Sequence, residues 1–410
     1  MMDTDPRHIL VAGAGIAGLT AAIAFARRGF RVTVLERAAH LQESGAGIQL
    51  SPNATYVLEK LGILGLLRSA TDQVTAVDLR RLNKGDFLIT LPIGNYSREN
   101  WGAPYLCAHR GDMHKAMVSA IGYEPGIRVL LSAEVTAYTK SENGVTVTVD
   151  RDGYSRDIYG DMLVGADGVR STVRALMPGS KEAQPSGKVA LRTTVLADSV
   201  HGQELAEFMD GEHYVASFLA QGKHLVVYSL RKGTVFNIVL TIEDDKLCRD
   251  PASWGAPTPP KVVKRALRWA HPSLRMLREE EVLWTTWPLF EVPDGGAWSD
   301  GPRVVLIGDA AHAIVPFAAQ GAAMGIEDAD ALAEFVAAAP DDLEGAVQRF
   351  ELQRKARVTR VRKRSRFNGF TYHAGWPVTW ARNFFLRRRE PMKLLKSMSW
   401  LYGYKAPPAM

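Results

Sequence analysis

Three glycine-rich motifs, widely separated along the chain, carry residue types suited to phosphate and sugar chemistry. They read Gly13-Ala14-Gly15-Ile16-Ala17-Gly18, Gly165-Ala166-Asp167-Gly168 and Gly308-Asp309-Ala310-Ala311-His312. In the first motif, Gly13 permits a tight turn, Gly15 lets the backbone approach a pyrophosphate, and Gly18 lets a helix pack closely on a strand. Ala17 belongs to the same turn. This spacing predicts a dinucleotide site.

An acidic residue follows the first motif at the distance expected for sugar recognition. Glu36 closes the second apolar run of the chain, residues 31–36. Its carboxylate can accept hydrogen bonds from ribose hydroxyls and would repel a 2′-phosphate. The N–H groups at the start of the intervening helix favour a diphosphate. We therefore predict a dinucleotide with an unphosphorylated ribose, and the motif alone does not distinguish FAD from NAD.

The elements that must position these motifs follow from the apolar pattern. Residues 8–12 and 31–36 form apolar runs that predict strands, and the alanine-rich segment 19–26 between them predicts a helix. The second and third motifs end two further apolar runs, residues 161–164 and 303–307, so each is expected at the end of a buried strand. A long apolar helix is predicted at residues 321–329.

Length and composition limit the class of protein. The 410 residues exceed the usual size of one hydrophobic core and predict about two or three packed subdomains. Cys107 and Cys248 stand in no CxxC or metal-ligand pattern, so we expect isolated thiols and no metal site. The acidic N-terminus and the glycines within residues 9–25 argue against a signal peptide. No apolar run reaches the ~20 residues of a membrane span, and we expect a cytoplasmic protein.

The net charge of +6 is unevenly distributed. Basic residues crowd the C-terminal part, with large aromatic residues between them: Arg354, Lys355, Arg357, Arg360, Arg362, Lys363, Arg364, Arg366, Arg387, Arg388, Arg389, Lys393 and Lys396. Such a segment is typical of a surface that binds nucleic acid or an anionic membrane. We prefer a helical tail that packs its aromatic side chains on the body and keeps its arginines in water. We expect no nucleic-acid partner, and membrane contact is the less favoured alternative.

Taken together, these motifs resemble those of the FAD-dependent aromatic-ring hydroxylases. These are single-component flavoprotein monooxygenases, and the chain is most similar to the salicylate, 3-hydroxybenzoate and 6-hydroxynicotinate hydroxylase branch. The resemblance covers nearly the whole chain and includes residues 45–53 (GAGIQLSPN), 109–114 (HRGDMH) and 316–321 (PFAAQG). It implies an α/β fold with a Rossmann-like FAD-binding domain, an interleaved β-sheet substrate domain and a C-terminal helical segment. It specifies the superfamily better than the substrate.

The resemblance also implies roles for individual residues. Those implied along the cofactor are Gly15, Glu36, Arg37 and Val135 at the ADP half, Arg110 at the phosphate or ribityl region, Asp309 at the ribityl chain, and Gly321 and Ala322 at the isoalloxazine ring. Gly47 and Gln49 would line the flavin and substrate side. Asp167 would serve both FAD and transient nicotinamide binding, unless it only caps its own turn.

A two-part reaction cycle is implied by the same resemblance. NADH or NADPH, as a transient co-substrate, passes a hydride to FAD, and O2 then forms a flavin C4a-hydroperoxide. An electron-rich aromatic or N-heteroaromatic ring attacks the distal oxygen of that group. The protein orients the ring, excludes water and in some cases deprotonates a phenol. Such chemistry needs neither a nucleophile triad nor a metal.

The substrate platform is expected in the middle of the chain, where apolar runs predict strands at residues 189–195, 214–218, 224–230 and 235–240. The candidate pocket residues are Arg192, Tyr214 and Tyr228 from this sheet, with Gln49, Pro316 and Phe317 from the FAD domain. Arg192 would pair with a substrate carboxylate or form a structural salt bridge. Tyr228 would bond a phenol and relay its proton, or be a core tyrosine. In the family, the carbonyl of Pro316 would face flavin and substrate.

Two pocket positions depart from the pattern of relatives. Gln49 and Phe317 stand where relatives that act on hydroxypyridines or hydroxybenzoates often have histidines. A neutral and more apolar pocket is therefore expected, which argues against a small charged ring acid. His312, in the third motif, is expected to be structural rather than a base.

The predicted FAD-binding domain is interleaved and takes residues 1–75, 100–180 and 280–345. The substrate-binding sheet takes 76–99 and 181–279, and the helical tail takes 346–410. We favour a ring hydroxylase, as a monomer or homodimer. An alkene epoxidase or a membrane-associated quinone-precursor hydroxylase of the same fold stays open, as does a non-catalytic flavin-binding redox sensor. Intact Arg110, Asp167 and Asp309 argue against the sensor.

Overall fold

In the computed structural model of the chain, residues 7–41, 47–209 and 214–407 are described. The strands are β1 (His8–Ala12), β2 (Arg31–Leu35), β3 (Gly47–Leu50), β4 (Thr71–Gln73), β5 (Ala76–Arg81), β6 (Phe87–Leu91), β7 (Leu106–His109), β8 (Ile127–Leu130), β9 (Glu134–Lys140), β10 (Val145–Arg151), β11 (Tyr154–Gly160), β12 (Met162–Gly165), β13 (Gln184–Leu196), β14 (Tyr214–Ala220), β15 (Lys223–Leu230), β16 (Val235–Glu243), β17 (Thr285–Glu291), β18 (Ser299–Asp300) and β19 (Val304–Leu306).

The α-helices are α1 (Ile16–Ala26), α2 (Pro52–Lys60), α3 (Leu64–Leu67), α4 (Gly94–Trp101), α5 (Arg110–Ile121), α6 (Thr172–Leu176), α7 (Val200–Met209), α8 (Asp245–Arg249), α9 (Pro260–Ala266), α10 (Asp309–His312), α11 (Gly321–Ala338), α12 (Leu343–Tyr372), α13 (Val378–Arg388), α14 (Pro391–Lys396) and α15 (Ser399–Tyr402). Two 3-10 helices, Pro251–Ser253 and Pro272–Arg278, flank α9.

The three motifs meet at one edge of a six-stranded sheet. Its strand order is β18-β19-β12-β1-β2-β8, and all neighbours are parallel except β18 and β19. The central strands are apolar runs with nearly every residue buried, as expected for a parallel sheet covered on both faces. Ala12 of β1 aligns with Leu35 of β2 and Gly165 of β12. Gly165 in turn aligns with Leu306 of β19, so four strands end at the edge where ligands bind in open α/β sheets.

A seven-stranded, mainly antiparallel sheet has the order β17-β13-β16-β15-β14-β5-β6. Side chains alternate between its two faces. The outer face, which includes Val227 and Ile238, is buried against residues of α7 and α9. The inner face lies toward the motifs, because Asn237 binds Gly47 and Ala190 packs with Phe317. The described residues also form two smaller, three-stranded sheets, with the strand orders β11-β10-β9 and β3-β7-β4.

The strand pairing bears on the expected domain boundaries. β5 and β6 join the seven-stranded sheet, as expected for residues 76–99. β17 also pairs with β13 in that sheet, although residues 280–345 were assigned to the FAD-binding domain. The division of the chain into domains stays a prediction.

Helix α12 is part of the body. The Arg354 guanidinium is fully buried against α11, where it lies 2.7 Å from the Glu327 carboxylate and 2.6 Å from the Asp328 carboxylate. Arg357 lies 3.0 Å from Glu327 and donates to the carbonyl of Leu401 at 2.8 Å. The expectation that these arginines stay in water is therefore wrong, because two buried carboxylates of α11 lie opposite them.

Tyr372 and Trp400 pack on the body as expected, but other aromatic residues of the same segment do not. Side chains at the end of α12 and around α13 are 47 to 86% exposed, namely Phe367, Phe370, Trp376, Trp380, Phe384 and Phe385. They do not cover the body, because α13 buries Arg382, which donates to the carbonyl of Thr371 at 2.7 Å. Within the described ranges, no helix is both long and apolar enough to cross a bilayer.

Candidate functional site

A cleft of about 360 Å³ lies at the carboxyl edge of the six-stranded sheet. It brings together predicted cofactor residues from distant segments: Gly13, Gly15, Ala17, Glu36, Arg37, Arg110, Val135, Asp167, Asp309, Gly321 and Ala322. Gly18 and Gly47 are the predicted cofactor residues that do not line it. The convergence follows from the fold, because most of these residues stand in turns and helix starts next to the ends of parallel strands. Val135, in β9, and Arg110, directly after β7, come from antiparallel sheets.

Gly13 allows the closest approach within this cleft. Its φ is +97°, and a Cβ there would lie 2.7 Å from the carbonyl oxygen of Ala166. The turn after β1 therefore lies directly against the turn after β12, with no room for a side chain. A Cβ at Gly18 would lie 2.0 Å from the carbonyl oxygen of Gly13. Gly18 thus serves the packing of α1 and not the surface of the cleft.

The carboxylate of Glu36 is held in position by two backbone groups. It accepts hydrogen bonds from the N–H of Ala14 at 2.7 Å and from the N–H of Ala38 at 2.8 Å. An ionised carboxylate has about four lone-pair sites, so these bonds leave acceptor capacity for a sugar hydroxyl. The arrangement supports the predicted contact with a ribose.

Two helix N-termini open onto the cleft. Helix α1 begins after Gly15 and helix α11 after Gln320, and neither start has a side-chain cap. The first N–H groups of a helix lack intrahelical partners, and its N-terminus carries partial positive charge. A Cβ at Gly321 would meet open space. A tight glycine turn, an oriented acid and two uncapped helix starts fit the diphosphate, ribose and electron-rich ring of FAD.

Asp167 caps its own turn, which was one of the two roles that the sequence left open for it. It also lines the first cleft. Its carboxylate accepts from the N–H of Val173 at 3.1 Å and from the hydroxyl of Ser171 at 2.5 Å. Burial raises the pKa of Asp167, and these hydrogen bonds oppose the rise only in part. Asp309, by contrast, is exposed in the cleft.

A second cleft, of about 910 Å³, lies beside the C-terminal end of β13, where residues 192–196 line it together with Thr285 and Trp287 of β17. It adjoins the first, because the Arg170 guanidinium of the first cleft lies 4.4 Å from the ring centre of Trp254 in the second. Arg192 lines the second cleft, and its guanidinium lies 5.4 Å from the ring centre of Trp287. A predicted substrate residue thus lines a cleft that neighbours the predicted cofactor site.

The charge of Arg192 has no carboxylate partner among the residues that the structure describes. Burial lowers the pKa of Arg192, and the nearby Arg110 lowers it further, whereas Tyr228 raises it. An arginine stays protonated under such shifts, because its ordinary pKa exceeds 12. The structural salt bridge that the sequence left open for Arg192 is not formed within the described ranges. The side chain is instead available to an anion in the cleft.

Tyr228 lies on the same inner face, at the boundary with β3. A Cβ at Gly47 would lie 2.6 Å from the Tyr228 ring, and the Gly47 N–H donates to the Oδ1 of Asn237 at 2.6 Å. Because Gly47 has no side chain, β3 can lie directly against the Tyr228 ring. Gly47 does not face the first cleft. Burial raises the pKa of Tyr228, so its hydroxyl stays protonated and can donate a hydrogen bond.

The remaining predicted pocket residues differ in their surroundings. Gln49 accepts a hydrogen bond from the Tyr105 hydroxyl at 2.9 Å. Pro316 is exposed, and its carbonyl accepts the N–H that closes its own turn. Phe317 is buried in the cluster between that turn and the sheet. Tyr214 begins β14, but its side chain lies outside the described part of the structure.

Sequence analysis missed His224 as an inner-face residue. Its ring centre lies 5.2 Å from that of Phe317. His224 and Tyr228 are four residues apart on β15, so strand alternation places them on one face. That alternation was the available signal within the predicted strand 224–230. His224 is buried and lines neither cleft, so the expectation of a neutral, more apolar pocket stays a prediction.

Comparison with known proteins identifies the family. The FAD binding domain family matches residues 7–365. The 3-hydroxybenzoate 6-hydroxylase of Polaromonas naphthalenivorans (strain CJ2) is 34% identical over 399 residues, which cover 97% of this chain and 96% of that protein. A 3-amino-4-hydroxybenzoate 2-monooxygenase of Streptomyces platensis is 34% identical over 99% of this chain and 98% of that protein.

The fold has relatives among solved structures. A salicylate hydroxylase substrate complex matches with a TM-score of 0.79 and 23% identity over 98% of this chain and 96% of that chain. This likeness confirms the predicted α/β fold. The family match covers the residues of the first cleft, which fit FAD in shape and charge. The chain therefore belongs to the FAD-binding domain family and, within it, to the FAD-dependent aromatic-ring hydroxylases, which are monooxygenases.

Proposed function

We propose that this protein hydroxylates the ring of a small phenolic carboxylic acid, with NADH or NADPH as electron donor and O2 as oxidant. The observation that carries this proposal is the half-buried charge of Arg192, which lines the second cleft and has no carboxylate partner within the described residues. Removing a charge from water without a partner is costly, and a substrate carboxylate in the cleft would relieve that cost.

The names of the relatives agree with this substrate class. Two relatives that are 34% identical to this chain are named for 3-hydroxybenzoate and 3-amino-4-hydroxybenzoate. Each of these compounds is a benzoate with a ring hydroxyl. Arg192 and Tyr228 share one face of the sheet, so a carboxylate at the first residue leaves the ring directed along that face toward the second.

The proposal also assigns a role to each group of residues in the site. Gly15, Glu36 and the N-terminus of α11 would hold FAD, and FAD would supply the oxygen-activating chemistry when bound. Arg192 would anchor the carboxylate and fix the ring position. The Tyr228 hydroxyl would donate a hydrogen bond to the ring oxygen, because burial keeps it protonated.

Turnover with a panel of ring compounds tests the proposal. Oxidation of NADH and NADPH by the FAD-loaded protein is followed together with O2 uptake, peroxide release and product mass. The panel pairs 3-hydroxybenzoate, salicylate and 3-amino-4-hydroxybenzoate with their neutral carboxamides. We expect an acid to accelerate oxidation and to gain one oxygen atom without equivalent peroxide.

Three results would contradict the proposal. If no ring compound accelerates oxidation, the aromatic substrate class is wrong. If the carboxamides match the acids in KM and in hydroxylated product, the carboxylate contact of Arg192 is wrong. An unaltered rate of peroxide release with every compound also counts against hydroxylation.

A further inference from the structure

The backbone of Ala14, inside the first glycine motif, is held by side chains from two other segments of the chain. Its N–H donates to the Glu36 carboxylate, directly after β2, at 2.7 Å. Its carbonyl oxygen lies 2.8 Å from the Nε2 of His114, on α5. Glu36 already has an expected role at the ribose, whereas His114 has none so far.

His114 is a buried polar residue at the wall of the first cleft. It lies four residues after Arg110, so both side chains are on one side of α5, and both line this cleft. The neighbouring Met113 and Met117 are fully buried in the core, and His114 is 3% exposed. Core packing of α5 therefore fixes the position of the imidazole ring.

The acceptor determines the direction of the hydrogen bond between His114 and Ala14. A carbonyl oxygen only accepts, so the Nε2 of His114 carries a proton whether the ring is neutral or charged. Within the described ranges, no second donor to the Ala14 oxygen is found. Loss of the imidazole would therefore leave this oxygen without a protein donor.

The same bond determines where the next backbone N–H points. The Ala14 oxygen and the Gly15 N–H belong to one planar trans peptide, so they point in opposite directions. Gly15 lines the first cleft, and its N–H has no acceptor in the part of the chain that the structure describes. This N–H stands at the uncapped start of α1, where backbone N–H groups favour an anion.

The peptide between Ala14 and Gly15 needs such an anchor because glycine makes it easy to reverse. Reversal changes ψ of Ala14 and φ of Gly15 by about half a turn, and glycine tolerates the positive φ that results from the present −75°. A reversed peptide would place a carbonyl oxygen where the N–H now stands. That oxygen would repel a diphosphate instead of binding it.

We propose that His114 is a positioning residue for FAD, because its hydrogen bond to Ala14 directs the Gly15 N–H to the diphosphate of the cofactor. The N–H is then in place before the cofactor binds, so binding does not have to order this peptide. Glu36 holds the preceding N–H, and recognition of ribose and diphosphate thus depends on one fixed stretch of backbone. The inference requires the FAD site but no particular ring substrate.

The test compares two side chains of similar length at position 114. Gln carries a side-chain N–H near the place of the ring Nε2, whereas Met fills a similar volume without a donor. FAD release from the loaded protein is followed by flavin fluorescence after dilution. We expect release about 10- to 100-fold faster in His114→Met, because a hydrogen bond to a charged group is weakened. His114→Gln should recover most of the slow release.

Phosphorus NMR of the loaded protein supplies a signature that a general loss of stability would not change. The two phosphorus signals of bound FAD report on hydrogen bonds to the diphosphate. They should shift in His114→Met and return toward their wild-type positions in His114→Gln. His271→Met is the matched control, because His271 stacks on Phe208 and lines neither the first nor the second cleft. It should change neither the release nor the phosphorus signals.

Two outcomes would overturn the assignment. One is wild-type release with unchanged phosphorus signals in His114→Met. The other is faster release that His114→Gln does not reverse, since His114 would then only pack α5 against the motif. If His114→Met fails to fold, His114→Asn replaces it, because the Asn amide matches the ring Nδ1 and does not reach Ala14. None of these measurements involves a ring compound, so failure of the proposed function would leave them interpretable.

Discussion

Arg192 and Glu243 are charged residues of the same sheet with different surroundings. Arg192 lies in the second cleft beside the Trp287 ring, where no described carboxylate neutralises it. Glu243 lies at the surface and is bonded to the buried His373. In the proposed function the first charge binds an incoming anion, whereas the second orients the buried His373 ring.

Replacement of Arg192 tests the anion contact. A hydrogen bond to a charged group contributes about 1.5–3 kcal/mol, so Arg192→Gln should raise the KM for a hydroxybenzoate about 10- to 100-fold. The KM for the corresponding carboxamide should change little, since it lacks the charge. Steady-state NAD(P)H oxidation measures both. Arg249→Gln, an exposed arginine paired with Asp245, is the control, and an equal effect on acid and carboxamide would refute the assignment.

Residues of the first cleft could be predicted from sequence because their signals are local. Gly13, Glu36 and Asp309 each follow an apolar strand, and parallel strands bring their carboxyl ends together. His224 was missed although its strand was predicted, since alternation had to be combined with the position of Tyr228. Its bond to His373 joins residues 149 positions apart, and no local pattern indicates such a pair.

At the scale of elements, the pairing of α11 and α12 depends on buried charge. Arg354 lies between Glu327 and Asp328, and the Nε2 of His312 lies 2.5 Å from the Asp328 carboxylate. Arg354 and Arg357 are three residues apart, which places them on one side of the helix. Helical spacing thus permits the contact, but sequence could not predict it, because the acidic partners could equally have faced water.

Loss of Arg354 should loosen this helix pair. Removing one partner of a buried ion pair costs about 3–5 kcal/mol, because the other charge stays buried and unpaired. We expect Arg354→Met to lower the free energy of unfolding by about that amount, as measured by urea unfolding of the FAD-loaded protein. Arg349→Met removes an exposed pair with Asp342 on the same helix and should cost less than about 1 kcal/mol. Similar losses in both variants would contradict the buried role.

Acid should weaken the same helix pair. Burial alone would raise the pKa of Asp328, but His312 and Arg354 outweigh it and lower the pKa from 3.8 to about 2. A lowered carboxyl pKa adds stability that is present above the unfolded value and is lost as pH falls through the folded value. The free energy of unfolding should therefore fall between pH 3.8 and about 2. In Asp328→Asn, the free energy of unfolding should not show this decrease between pH 3.8 and about 2. Identical pH profiles for the variant and the wild type would refute the role of Asp328.

At the scale of the whole molecule, FAD would join segments from nearly the full length of the chain. The first cleft takes residues from Ala12 to Gly325, and β3, which pairs with β7, contacts the substrate sheet through Gly47. The family match, residues 7–365, includes most of α12. Because the cofactor would contact so many segments, its binding should make the unfolding of the chain more cooperative.

FAD should consequently stabilise the entire chain, and one glycine tests this. A ligand at 100 times its Kd adds about 2.7 kcal/mol to the free energy of unfolding, so the Tm should rise when FAD is added to apoprotein. Gly13→Ala should abolish most of this rise, because its Cβ would lie 2.7 Å from the Ala166 carbonyl oxygen. Gly153→Ala is the matched control, since φ is also positive there, at +83°, but the Cβ meets open space. Both variants should lose stability as apoproteins, yet only the control should regain it with FAD. A full FAD response in Gly13→Ala would show that the contact between the turns after β1 and β12 is not needed to bind the cofactor.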